Sequence, residues 1–124
     1  MAAVEPFRMI WVTFQRAGFH LWKDAPERRD YLATRHRHLF KFRVWIQVWH
    51  GDREVEFHDF LEWLEGLYAD KTLQADGKSC ETLSDELHAR IAARYLDRKI
   101  WIEISEDGEC GSYSQYEAME PRAR

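Results

Sequence analysis

Alternation of apolar and polar residues marks the clearest strand of the sequence, over residues 39–49. In a strand, successive side chains point to opposite faces, so every second residue shares a face. The apolar face carries Phe40, Phe42, Val44, Ile46 and Val48, and the opposite face carries Lys41, Arg43 and Gln47. The pattern predicts a strand that is buried on one side.

Three shorter segments also have the character of strands. Residues 7–14 are rich in β-branched and aromatic side chains and contain neither Gly nor Pro, which favours a strand. Residues 99–104 alternate in the same way as the strong strand. Residues 111–116 follow a turn that the Asp107-Gly108 pair predicts, so they are expected to form the last strand.

Two stretches carry apolar residues at helical spacing. Residues 57–68 have them three or four positions apart, with acidic residues between. Over residues 82–95 they recur every fourth position, and the opening Thr-Leu-Ser-Asp resembles a capping box with Thr82 as the cap. The remaining segments are predicted to be loops or turns: residues 16–29, 50–53 and 69–81.

The element order is therefore strand, strand, helix, helix, strand, strand. Two helices inserted between two strand pairs predict an α+β fold, an antiparallel four-stranded sheet with both helices on one face. A chain of 124 residues suffices for one hydrophobic core, so we expect a single domain over residues 1–124. The structured part of this domain is expected at about residues 7–116, followed by a polar tail that frays.

Composition adds expectations about partners and location. The chain has six Trp, five Tyr and seven Phe, and Trp45, Trp49 and Trp101 suggest an aromatic outer sheet face that a second subunit covers, giving a homo-oligomer. The net charge of -4 and scattered basic residues do not indicate a nucleic-acid partner. No apolar run is long enough for a membrane span, so we expect a cytoplasmic protein in which Cys80 and Cys110 remain thiols.

The histidines are the candidate metal ligands. His36 and His38 are two residues apart at the start of the strong strand, so both imidazoles lie on the same side. Zinc usually takes three or four ligands, and His20, in the loop after the first strand, is the candidate third. A polar strand face is the alternative interpretation of the His-x-His pair. The other histidines, His50, His58 and His88, are interpreted as solvent-facing or satisfied in the core.

The order of these motifs resembles the 6-pyruvoyltetrahydropterin synthase and 6-carboxytetrahydropterin synthase family. That family has a histidine after its first strand and a His-x-His pair opening its second strand. Asp59-Phe60 is similar to its Asp-Phe at a helix start, and residues 84–89, Ser-Asp-Glu-Leu-His-Ala, are similar to its second-helix motif. Residues 102–106, Ile-Glu-Ile-Ser-Glu, resemble its final strand, so the resemblance covers roughly residues 9–116.

The resemblance implies the tunnelling fold of that family, with a zinc ion held by His20, His36 and His38. It also implies that Glu106 anchors a pterin ring, by accepting hydrogen bonds from the amino group and a ring nitrogen. A carboxylate suits this role because its two oxygens can accept two parallel N–H donors.

Three positions depart from the family pattern. Leu32 stands where the family usually has its proton-transferring cysteine, and Ala69-Asp70 aligns with its Asp-His pair. Arg37 replaces a glycine between the two histidines, which introduces a bulky cation into the metal motif. The usual acid–base apparatus is therefore missing from this sequence.

Other groups near the missing positions can take over proton transfer in principle. Asp30 and Asp70 are the candidate catalytic acids, with Tyr31 beside them, since a carboxylate or phenol acts as a base once its pKa approaches neutrality. Cys80 lies close to the start of the second helix, where the helix dipole favours a thiolate. Ordinary surface acids and an ordinary loop thiol are the alternative interpretation.

The resemblance implies a zinc-dependent lyase of the pterin-synthase type, acting on a pterin- or purine-like ligand at an interface between subunits. Loss of the acid–base groups favours a second hypothesis, a catalytically inactive protein that binds such a ring. In a third hypothesis, the oligomer is a scaffold and the histidines are structural.

Overall fold

The computed structural model describes residues 6–70 and 72–118. Much of the polar tail predicted to fray after Tyr116 lies outside the described residues. The elements, in chain order, are β1 (Arg8–His20), a 3-10 helix (Glu27–Ala33), β2 (His36–Val48), α1 (Phe57–Leu67), β3 (Thr72–Gln74), α2 (Cys80–Arg94), β4 (Ile100–Glu106) and β5 (Cys110–Tyr116).

Within the described residues, the strands form one mixed sheet of five strands, in the order β3-β1-β2-β4-β5. Three strand pairs are antiparallel, whereas β3 runs parallel to β1. The prediction of an antiparallel four-stranded sheet with two helices was therefore wrong, because a fifth strand, a parallel pair and a 3-10 helix are present. The missed strand has 3 residues, which is too short to show an alternating pattern.

The first strand extends well beyond its predicted end at residue 14, and Gly18 explains why. A Cβ atom at Gly18 would lie 2.8 Å from the carbonyl oxygen of Leu73 on β3 and 2.9 Å from the ring of Phe40. Gly18, within the predicted loop at residues 16–29, therefore allows β3 to approach β1 closely. Because β1 continues past it, His20 ends the strand directly opposite His36 on β2.

The 3-10 helix over Glu27–Ala33 lies within and just beyond the predicted loop at residues 16–29. It begins after Pro26 and contains no buried residue. A short helix without an apolar face leaves no periodic signal in the sequence, so the pattern alone indicated a loop.

One hydrophobic core lies between one face of the sheet and the two α-helices. Phe42 and Val44 of β2 are buried with Phe60 of α1 and Leu87 of α2. The helix face of β2 continues through Phe40 to the two histidines at its beginning, so the core ends where the candidate metal ligands begin.

The second α-helix begins earlier than the sequence indicated. Its cap is Ser79, whose side-chain oxygen accepts a hydrogen bond from the backbone N–H of Thr82 at 3.1 Å, so the prediction of Thr82 as the cap was wrong. Both residues carry a hydroxyl, and the spacing of the apolar residues does not distinguish between them. Among the described residues, neither α-helix has the length and apolar character needed to cross a membrane.

Candidate metal centre

Four side chains converge at one end of the sheet, on the face that carries the core. His20 is the last residue of β1 and pairs with His36, the first residue of β2. His38 follows two residues later on the same face. Glu106 ends β4 and pairs with Phe40, which places its carboxylate beside His38. Strand register alone therefore gathers residues that are far apart in sequence.

The potential donor atoms of these residues face a common point. One ligand atom from each of His20, His36, His38 and Glu106 lies within 4.8 Å of the others. The ring centroids of the histidines are 4.5 to 4.8 Å apart. The Nε2 atoms of all three histidines are buried and have no hydrogen-bond partner.

The carboxylate of Glu106 belongs to this group of donors. Its Oε2 atom lies 2.8 Å from Nε2 of His38 and 3.5 Å from Nε2 of His20. Neither contact has the geometry of a hydrogen bond, since both nitrogen atoms remain without a partner. Lone pairs directed at a shared space, rather than at each other, are the arrangement that metal ligands have.

Outer hydrogen bonds fix the orientation of two imidazoles. Nδ1 of His36 lies 2.7 Å from the carbonyl oxygen of Thr34, which can only accept, so this nitrogen donates. Nδ1 of His38 lies 2.7 Å from Oδ2 of Asp107. A proton on Nδ1 leaves the lone pair of Nε2 free in a neutral ring, and metal-binding histidines commonly have such outer partners.

The electrostatic environment keeps His20 neutral and Asp107 ionised at neutral pH. Burial lowers the pKa of His20, with His36 and His38 acting in the same direction, while Glu106 and the backbone of Lys78 oppose the shift. The backbone N–H of Leu39 and the ring of His38 lower the pKa of Asp107 by hydrogen bonding to its carboxylate. A carboxylate at Asp107 therefore accepts the Nδ1 proton of His38.

Asp107 was predicted from the sequence only as part of a turn. It adopts a positive φ of 60°, as does Gly108 at 75°, and these values suit a tight hairpin turn. Its backbone N–H donates to the carbonyl oxygen of Leu39 at 2.7 Å, and its Oδ1 accepts from the Leu39 N–H at 2.8 Å. The signal available in the sequence was an acid directly after Glu106 in a predicted turn, and this does not distinguish a turn residue from a partner of a histidine.

A cavity of about 570 Å³ borders three of the four donors. His20, His36 and Glu106 contribute to its wall, together with Leu32 and both cysteines. Burial raises the pKa of Cys80 to about 11, with further contributions from Glu106, Glu81 and Cys110, so the suggested thiolate at the start of α2 does not form at neutral pH. Both cysteines are free thiols, Cys80 buried and Cys110 exposed.

The structure does not bring the candidate catalytic acids to this cavity. Asp30, in the 3-10 helix, and Asp70, before β3, are both exposed and do not line it. Tyr31 is 62% exposed. Arg37 lies between two candidate ligands, but alternation directs its side chain to the other face of the sheet, so this cation does not enter the donor cluster.

The remaining histidines lie outside the cluster. His58, on α1, is exposed and pairs with Glu56 at 2.9 Å. His50 accepts a hydrogen bond from the N–H of Asp52 at 3.2 Å. His88 stacks on Tyr116, with the ring centroids 4.0 Å apart. Each of the three has a contact that explains its position without a metal.

The residues of the cluster fit a divalent metal ion. Three unpartnered imidazole nitrogens and one carboxylate oxygen form a mixed N/O donor set of the kind that zinc binds, and other first-row transition metals accept the same ligands. The buried Nε2 atoms are the decisive feature, because a buried polar atom without a partner costs free energy that a ligand recovers. Comparison of the sequence with protein-family models and with curated proteins gave no match.

Proposed function

We propose that this protein is a zinc protein of the pterin-synthase type, which binds a pterin- or purine-like ring in the cavity beside its metal. The observation that carries the proposal is the set of three buried Nε2 atoms without hydrogen-bond partners, of His20, His36 and His38. The adjoining cavity of about 570 Å³ is of a size typical for small-molecule sites. Two free thiols are in keeping with the cytoplasmic location that we propose.

Glu106 has two possible roles in this proposal. The distances to His20 and His38 support a role as the fourth metal ligand. Anchoring a ring, the role that the resemblance implies, requires its carboxylate to turn away from the histidines toward the cavity that it also lines. We propose the metal role for the ligand-free protein and exchange to the ring when a substrate binds.

A zinc ion at this site would supply Lewis acidity, polarising a hydroxyl or carbonyl oxygen of a bound ligand. The protein's own residues would hold the ring and limit access of water to it. Leu32 and Trp22 give the cavity wall apolar surface suited to a flat heterocycle. In the enzyme hypothesis, the product is formed by a lyase-type rearrangement of the side chain of a dihydropterin.

The metal site is tested by the metal content of the purified protein. We expect the wild type to bind one equivalent of zinc and both His36→Ala and His38→Ala to lose it, because each removes a donor from the cluster. His58→Ala is the matched control, since that histidine is exposed on α1, and it should keep the metal. Stoichiometric zinc in both cluster variants, measured by plasma mass spectrometry, would contradict the site.

The second candidate function is a catalytically inactive ring-binding protein. It is favoured by the apolar Leu32 on the cavity wall and by the exposed positions of Asp30 and Asp70. Incubation of the zinc-loaded protein with dihydroneopterin triphosphate separates the two functions. Cleavage or rearrangement of the side chain supports the enzyme, and binding without turnover supports the inactive protein. Absence of binding would contradict both and favour the scaffold hypothesis.

We also propose a homo-oligomer formed through the outer face of the sheet. Trp45 lies 5.7 Å from Tyr113 and 6.3 Å from Trp101 between ring centroids, and Trp11 nearby is 56% exposed. Arg43 packs over Trp11 and Trp45. Glu103, the neighbour of Arg43 across the β2–β4 pair, lies on this face, so the face carries both signs of charge and can complement a second copy of itself.

Substitution on this face should dissociate the oligomer. We expect Trp11→Glu to lower the molecular mass in sedimentation equilibrium to that of a monomer, because a charge replaces exposed apolar surface at the contact. Phe57→Glu is the control, since Phe57 is 49% exposed but lies on α1, on the other side of the sheet. A monomeric wild type at micromolar concentration would contradict the proposed assembly.

A further inference from the structure

The three histidines of the candidate centre differ in the group that contacts each ring from outside the donor cluster. His36 donates to a main-chain carbonyl oxygen of Thr34, and the His20 ring interacts with the backbone of Lys78. Behind His38 lies a side-chain carboxylate, that of Asp107, at 2.7 Å from Nδ1. A carboxylate raises the electron-donating power of the opposite nitrogen more than a neutral carbonyl does, and such outer partners tune metal affinity.

We propose that Asp107 is a positioning residue that controls metal affinity by holding His38 in the metal-binding tautomer and orientation. The inference rests on the proposed metal site. Asp107 does not contribute a donor to the cluster, since its carboxylate is occupied by Nδ1 of His38 and the backbone N–H of Leu39. It acts on the metal through His38.

The backbone of Asp107 gives it a second connection to the site. Its N–H donates to the carbonyl oxygen of Leu39, so the residue is joined to β2 from both its backbone and its side chain. Glu106 is the preceding residue, and the turn begins with a hydrogen bond from the N–H of Glu109 to the Glu106 carbonyl oxygen at 3.1 Å. One residue thus orients His38 directly and fixes the backbone that presents Glu106.

Asp107→Asn tests this role with little change of structure. The amide oxygen of Asn can still accept from the Leu39 N–H, and Asn tolerates a positive φ, so the turn is retained. The amide nitrogen then faces Nδ1 of His38 and can only donate to it. That contact favours a proton on Nε2, which removes the lone pair needed for the metal.

We expect zinc affinity to fall at least about tenfold in Asp107→Asn, measured by competition with a chromophoric chelator. Glu109→Gln removes the same charge from the same turn and is the matched control. Its affinity should equal that of the wild type, since the contacts of His38 are unchanged. Cobalt substitution gives a second readout, in which the visible spectrum of the Asn variant should shift because the His38 ligand is altered.

The outcomes separate this inference from the proposed function. A wild type that does not bind zinc overturns the metal site itself. Equal affinity in wild type and Asp107→Asn overturns the role of Asp107 alone, and so does an equal loss in Asp107→Asn and Glu109→Gln, which would indicate a charge effect. If the Asn variant fails to fold, nitrogen NMR of the zinc-free wild type decides. The proposal requires Asp107 to hold the proton of neutral His38 on Nδ1 before a metal binds, and a proton on Nε2 instead would overturn it.

Discussion

Removal of zinc with a chelator is expected to lower the free energy of unfolding by about 4 kcal/mol, relative to protein in free zinc at roughly a thousand times its dissociation constant. The metal-free protein keeps three buried imidazole nitrogens without hydrogen-bond partners, and a bound ion satisfies all three at once. The unfolded chain scatters these donors and binds zinc weakly. Urea titration followed by tryptophan fluorescence, with and without chelator, measures the difference.

The control for this experiment is His38→Ala, in which the stabilisation by zinc should vanish. The metal-free form of this variant should be close in stability to the metal-free wild type, because His38 is a partly exposed residue at the end of the sheet. Equal unfolding curves for the wild type with and without chelator would mean that the four donors do not bind zinc.

Replacement of Gly111 by alanine is expected to destabilise the fold by about 3 kcal/mol, at the upper end of the cost of overpacking. A Cβ atom at this position would collide with the carbonyl oxygen of Ile104 and lie 2.6 Å from Cα of Ser105. Both contacts are to backbone, so a side-chain rotation cannot relieve them. The strands β4 and β5 must separate or shift instead.

The same substitution should weaken zinc binding, because Gly111 pairs with Ser105, the residue before Glu106. Gly66→Ala is the control, and it is expected to raise stability instead of lowering it. Gly66 lies in α1, a Cβ atom there meets no atom within 4 Å, and alanine is the better helix former, so about 0.5 kcal/mol of added stability is expected. Thermal unfolding of both variants measures these two changes in stability. A Gly111→Ala protein as stable as the wild type would rule out the close contact at Gly111.

The long elements of the fold could be predicted because each carries its own periodic signal. The strand over residues 39–49 appears as β2, with its apolar positions buried and its charged positions exposed. The strand β3 could not be predicted, since its position depends on the absence of a side chain at Gly18 rather than on its own residues. The same reason hid the extension of β1 to His20.

The candidate site could be predicted only in part from the sequence. His36 and His38 could be paired by their spacing, and His20 could be added from its place after the first strand. The position of Glu106 against His38 depends on the register of β4 on β2, which is decided by pairing between distant segments. Asp107 was missed because a turn residue and a hydrogen-bond partner of a histidine have the same appearance in a sequence.

The four donors come from β1, β2 and β4, and the two helices lie in the chain between β2 and β4. Three of the donors lie within residues 20–38, but the set of four is complete only when Glu106 has been placed by the pairing of β4 with β2. Closing the long segment between His38 and Glu106 costs chain entropy that sheet and core formation must first offset. Full coordination of the ion would therefore come only in a nearly finished domain, so zinc would slow unfolding more than it speeds folding.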